Sequence, residues 1–224
     1  MGKSNIFSEK NRGPLLALAP LLIMLLVLFV WPIAGIFESS FGEDVFTLTS
    51  YQRAIGSEVY RQIFYNTLEI AAVVTIGAII VSYPFAYVMA TVSPSMVKLL
   101  TFVVLLPFWT SALVRTTAWV ILLQRRGVVN VGLEKVGFID EPISFLYNFS
   151  GVLIGMIHVL MPFMVLPLYG AFRSIDGRLL QAAKGLGAGP WRGFIRIILP
   201  LSAPGVAAGG LIVFMTSIGY YITP

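Results

Sequence analysis

Five apolar runs, each long enough to cross a bilayer, leave this chain few folds. They cover roughly 14–37, 62–92, 97–123, 149–171 and 197–222, and a spanning helix needs about 20 predominantly apolar residues. In hydrocarbon every backbone N–H and C=O must find a partner inside the protein, so runs of this length fold as helices. Only 11% of the residues are charged and 58% are hydrophobic, with a mean hydropathy of +0.89. A soluble domain carries about a quarter charged residues. The expected fold is an all-α integral membrane protein, a polytopic helical bundle over 14–224 behind a short cytoplasmic segment, 1–13.

The same composition excludes several functions. There is no cysteine and a single histidine, so neither a thiolate-ligated metal nor a cluster of His ligands is expected, and no cofactor is. The net charge of +5 does not point to nucleic acid, because the basic residues lie in the loops beside the apolar runs, as in membrane proteins generally. Lys3, Lys10 and Arg12 precede the first run as they would in a signal peptide. That run, 14–37, is longer than the 7–15 residues or so of a signal core and reads as a retained anchor.

Basic residues also set the orientation. With the N-terminus inside, nine of the fifteen Lys and Arg fall in inner segments: Lys3, Lys10, Arg12, Lys98 and five in 172–197. Five fall outside, namely Arg53, Arg61, Arg125, Arg126 and Lys135, and Arg115 lies within a span. The bias favours an inside N-terminus. The outer segment 38–61 is amphipathic (Phe41, Phe46, Leu48, Tyr51 and Ile55), 124–148 carries Gly127, Gly132 and Gly137, and both suit a membrane surface or a soluble partner.

The inner segment 172–197 carries the most specific signal. Asp176 is placed to cap a helix, and Arg178 to Lys184 are good helix formers. Gly185, Gly187 and Gly189 supply a break with positive φ, and Pro190 opens a second helix. Pro200 and Pro204 fix the entry into the last span. Helix, tight turn and helix would lie at the inner surface, either as an interfacial connector or as a partner's docking element.

The spacing within it is Gln181-Ala182-Ala183, three residues, Gly187, nine residues, Ile197, one residue, Leu199-Pro200. This resembles the cytoplasmic loop of binding-protein-dependent ABC importer permeases, whose pattern is Glu-Ala-Ala, three residues, Gly, nine residues, Ile, one residue, Leu-Pro. Only the first position departs, with Gln181 in place of Glu, which removes a charge but keeps hydrogen-bonding capacity. Pro107 to Thr116, Leu160 to Tyr169 and Phe194 to Gly205 look like the polyamine (spermidine/putrescine) branch of that family. The resemblance implies the type I permease fold and docking of Gln181, Ala182, Ala183, Gly187, Ile197, Leu199 and Pro200 against a cytoplasmic ATPase. It also implies a second permease subunit, a soluble extracytoplasmic solute-binding protein and a place in the bacterial inner membrane. Such permeases continue through a further span, so the chain is expected to be truncated before a final one. Nothing suggests an enzyme: a G-x-x-x-x-G-K-[ST] phosphate loop is lacking, and ATP hydrolysis is expected in the separate subunit.

Glu69, Arg115 and His158 are the ionisable groups within the spans. Counted along their helices at 1.5 Å per residue, all three lie on the order of 12 Å below the outer surface. One reading is a Glu69–Arg115 ion pair with His158 beside it, tying helices together. The other is a gate on the path, with Trp109 near it. Trp109, Trp119, Tyr83 and Tyr87 either stack on a cationic solute or simply pack. Gly205-x-x-x-Gly209 and Gly151-x-x-x-Gly155 read as close helix contacts. The function expected from these features is ATP-driven import of a polyamine-like solute. An opine or amino-acid derivative is the alternative solute; a secondary transporter or a membrane scaffold is the alternative class.

Overall fold

The computed structural model describes residues 12–40 and 49–220. Lys3, Lys10, Phe41, Phe46, Leu48 and the end of the fifth expected span lie outside the described residues. Among the described residues the α-helices are α1 Arg12–Ser40, α2 Thr49–Gly56, α3 Glu58–Thr91, α4 Pro94–Trp109, α5 Ala112–Leu123, α6 Val128–Lys135, α7 Phe149–Ser174, α8 Gly177–Gly185, α9 Pro190–Gly193 and α10 Leu199–Ile218. There is no strand among the described residues. Among the described residues four stretches are long and apolar enough to cross a membrane, or five if the bent pair Pro94–Trp109 and Ala112–Lys135 counts as one.

The chain divides into two units, residues 1–64 and 65–224. In the first, α1 presents exposed Leu21, Ile23, Leu26 and Phe29 along its length, the surface a lipid-facing helix needs. Its last turn is tied to α2 by a 2.8 Å hydrogen bond between the Ser40 and Tyr51 hydroxyls.

In the second unit, small residues select the packed faces, because every face is apolar. On α3 the buried stripe is Ala71, Val74, Ala78, Ser82, Ala86 and Met89. On α10 it is Ser202, Gly205, Gly209, Val213 and Ser217. The α10 stripe lies on α7, the most extensive helix pair in the fold, against Met164, Leu168 and their neighbours. A Cβ on Gly205 would stand 2.5 Å from that of Ala171, and one on Gly209 would stand 2.8 Å from the Met164 sulfur. Those two glycines are a packing device, as their spacing suggests. Gly151 is not: the group it admits is the Phe145 carbonyl of the preceding loop, so it serves a turn.

The run 97–123 is not one helix. α4 stops at Trp109, Thr110 and Ser111 are extended (ψ 139° and 142°), and the stretch Ala112–Lys135 that follows is bent from α4 by 104°. The break is held at the Pro107 carbonyl. Both the Thr110 hydroxyl (3.1 Å) and the Arg115 guanidinium (Nη1, 2.6 Å) donate to it. Side-chain donors thus take over an acceptor that a continuous helix would use internally. Broken helices at membrane depth occur where they line a cavity.

The fifth expected span also differs in its start. The helix does not begin near Ile197 but runs from Pro190 through a π-type turn at Phe194–Ile198 into α10. The Leu199 N–H donates to the Phe194 carbonyl, five residues back, which marks the wide turn.

Candidate functional site

Two places collect the residues singled out from the sequence. One is the α8–α9 elbow. Asp176 caps α8, its carboxylate accepting from the Arg178 N–H at 2.9 Å. The helix closes with paired bonds, Ala188 N–H to Ala183 O (2.9 Å) and Gly187 N–H to Lys184 O (3.0 Å). This is a Schellman closure, which needs a left-handed residue at the position of Gly187. Gly187 has φ +79°. Gly185 ends the helix and Gly189 is at φ −67°, so of the three glycines only Gly187 uses positive φ.

Leu180 is the anchor of α8, half-buried against the core and 3.4 Å from the position a Gly193 Cβ would take. That leaves Gln181, Ala182 and Lys184 exposed, with Ala183 half-buried. Leu179, Leu186 (90% exposed) and Trp191 add open apolar surface beside them, of the kind a protein partner covers. Ile197 is half-buried in the π-type turn, while Leu199 and Pro200 are exposed at the start of α10. The motif therefore splits: its first half is open surface, and its second half is the root of the last helix.

The other place is the α4–α5 break. Half-buried Arg115 lines three adjoining cavities of about 650, 370 and 390 Å³. Besides Pro107 O, its guanidinium reaches the Tyr220 hydroxyl at 3.4 Å. One turn on, the Trp119 indole N–H donates to His158 Nδ1 at 3.3 Å. An accepting Nδ1 places the ring proton on Nε2. The largest cavity, walled by Trp119, Leu123, Tyr147, Phe149 and Val152, is mainly apolar. Tyr147 at its edge is 97% exposed with φ 55°.

The Glu69–Arg115 ion pair is not formed. Glu69 is exposed and Arg115 is engaged elsewhere. Nine residues separate Glu69 from Ala78, about half a turn out of phase at 3.6 residues per turn, so it stands opposite the buried stripe of α3. Trp109 is 82% exposed at the end of α4 and joins neither Arg115 nor His158 by a hydrogen bond. Tyr83 and Tyr87 are packing residues, with ring edges set against Phe172 and Phe194.

Sequence reasoning missed Asn130. It is fully buried on α6; its amide N–H groups donate to the Gln124 and Ile143 carbonyls, and its Oδ1 accepts from the Ile143 N–H. One side chain thus closes the segment between α5 and α7. No pattern announces it, because all its partners are backbone groups.

The chain is 38% identical over 184 residues to the spermidine/putrescine transport system permease protein PotB of Salmonella typhimurium strain SL1344, covering 82% of this chain and 64% of that protein. It spans somewhat under two-thirds of the length of such relatives. It is 30% identical over 246 aligned positions to the inner membrane ABC transporter permease protein YdcU of Escherichia coli K12, covering all of this chain and 79% of that protein. Among solved structures, a bacterial ABC transporter that imports the acidic polysaccharide alginate superposes with a TM-score of 0.73 at 22% identity, over 93% of this chain and 74% of that one. That likeness is one of fold. No protein-family model matches the chain.

Proposed function

The chain belongs to the ABC transporter permeases, and from that premise we propose that it is a translocating subunit of an ATP-driven importer for a polyamine of the spermidine/putrescine class. The observation that carries the reading is the α8 elbow, a capped helix seated through Leu180 whose Gln181–Ala182 face and flanking Leu179, Leu186 and Trp191 stand open. A cytoplasmic ATPase subunit fits that surface. ATP hydrolysis then belongs to that subunit, capture to a soluble extracytoplasmic protein, and the other half of the path to a second permease. The multi-pass chain lies in the bacterial inner membrane with its N-terminus inside.

In this reading the path runs by the α4–α5 break. Arg115, held by the Pro107 carbonyl, keeps the break in one shape; it repels a polycation, so it acts as gate rather than binding group, with His158 and Trp109 on the same route. Glu69 is the attractive group. A carboxylate facing hydrocarbon is costly, so the open side of α3 faces the path or the companion subunit.

Alternating access needs two global states that nucleotide and capture protein bias differently. The test is reconstitution in vesicles. Spermidine uptake should require ATP and the ATPase subunit, and deleting 178–189 should abolish copurification of that subunit while membrane insertion persists. Uptake driven by an ion gradient without ATP, or no uptake at all with the ATPase bound, would overturn the reading in favour of a secondary transporter or a scaffold.

A further inference from the structure

The elbow must pass its motion to the bundle, yet the segment joining it to α10 is the least regular stretch of that helix. Between Phe194 and Ile198 the helix widens to i→i−5 bonding. Such a turn is a place where a helix kinks. A push on α8 and α9 would be absorbed there unless both sides of the turn were fastened to the same support.

They are fastened to α3. At the start of the turn, Phe194 meets Tyr83 (6.1 Å between centroids) and Tyr87 (6.0 Å) in T-shaped contacts, the two tyrosines one helical turn apart on α3. Phe172, near the end of α7, closes the cradle against the same two tyrosines at 5.1 and 5.6 Å. Trp191 stacks on Phe194 at 5.9 Å, with 13° between planes. Beyond the turn, the Tyr83 hydroxyl bonds that of fully buried Ser202 at 2.9 Å. Tyr83 thus holds both ends of the irregular stretch.

We propose that Tyr83 and Tyr87, with Phe194 between them, are positioning residues that make the docking elbow and the helix bundle move as one body, so that closure of the ATPase is delivered to α3 and α7. This rests on the docking role proposed above. Close-packed contacts of this kind have discrete arrangements and transmit displacement without yielding. A cradle left empty would let the π-type turn bend, and ATP would be spent with little solute moved.

The experiment uses the full chain assembled with its ATPase and companion permease in vesicles, with spermidine as probe. Phe194→Leu, which keeps apolar bulk but removes the ring, should leave ATPase copurification and ATP hydrolysis near the parent level. Spermidine moved per ATP should fall roughly tenfold, a size in keeping with coupling changes along packed networks. Phe194→Tyr should restore it. Tyr87→Leu attacks the cradle from α3, should uncouple in the same way, and decides the matter if Phe194→Leu fails to insert. Unchanged spermidine per ATP in these Leu variants would overturn the proposal. So would loss of ATPase binding in Phe194→Leu, which would make Phe194 part of the docking surface, and so would failure of Phe194→Tyr to rescue. If the parent chain itself does not hold the ATPase, it is the docking role that fails.

Discussion

Glu69 is exposed and its carboxylate lies within a span, so its energy depends on what it meets there. If that is a passing cation, neutralising it should weaken capture without touching the motor. Glu69→Gln is expected to raise the KM for spermidine roughly tenfold, about 1–2 kcal/mol of charge attraction across several ångströms, with ATPase association unchanged. Uptake kinetics in vesicles decide this, and an unaltered KM would take Glu69 off the path. Asn130 makes a different kind of prediction. Removing a buried amide that satisfies three backbone groups costs about 1–3 kcal/mol. Asn130→Ala should therefore speed tryptic cleavage at Arg125–Arg126, read by limited proteolysis, while the spans stay intact. At this scale the sequence offers an expected level but no azimuth, and the bend after Trp109 takes Arg115 off the straight span that the count assumes. Counting along helices put Glu69, Arg115 and His158 at one level, yet which way each faces depends on packed stripes that apolar sequence does not distinguish. Trp119 and His158 meet, whereas Glu69 stands half a turn from the α3 stripe.

Helices were legible where local chemistry alone decides them. Asp176, the good formers after it and Gly187 specify α8 and its closure, and the structure uses each residue as its type suggests. The break at Thr110–Ser111 was not legible, because Pro107 reads like the prolines that α3 and α7 carry without breaking, Pro84, Pro162 and Pro167. What differs is Arg115, whose donation to the Pro107 carbonyl spans eight residues and exists only once the chain has turned. The joint of α9 with α10 was hidden for a similar reason: Pro200 and Pro204 look like boundaries, yet a π-type turn carries the helix through. The α7–α10 pair yields a prediction with a built-in control. Gly205→Ala drives a methyl to 2.5 Å from Ala171, and overpacking of this kind costs about 1–3 kcal/mol. Gly210→Ala meets only a Thr75 methyl at 3.8 Å and gains the helix preference of Ala over Gly, about 0.8–1 kcal/mol in soluble hosts. Melting in detergent should fall for the first and hold or rise for the second. Equal melting would mean that the small residues of α10 do not set its distance from α7.

For the whole molecule, function reduces to sidedness: the elbow must be inside, and the segment between α5 and α7 outside. Of the fifteen Lys and Arg, nine are assigned inside, a moderate bias that Arg125–Arg126 oppose, so an independent test is needed. The sequence contains no cysteine, so a single introduced thiol reports on one position without background. Leu186 and Tyr147 are nearly fully exposed, and neither packs in the core, so Cys at either site costs little fold. Leu186 lies in the turn after α8, and Tyr147 precedes α7. The helix joining the two sites, α7, has 26 residues, about 39 Å at 1.5 Å per residue, enough to cross a hydrocarbon core of about 30 Å. The two thiols should therefore face opposite compartments. A membrane-impermeant maleimide should label Tyr147→Cys in intact spheroplasts and Leu186→Cys only in inside-out vesicles. Adding the ATPase subunit to those vesicles should then shield Leu186→Cys and leave Tyr147→Cys unaffected. Labels reversed between compartments would invert the topology and separate the elbow from any ATP-consuming partner. Correct sidedness without shielding would leave the fold intact and remove the motor from it.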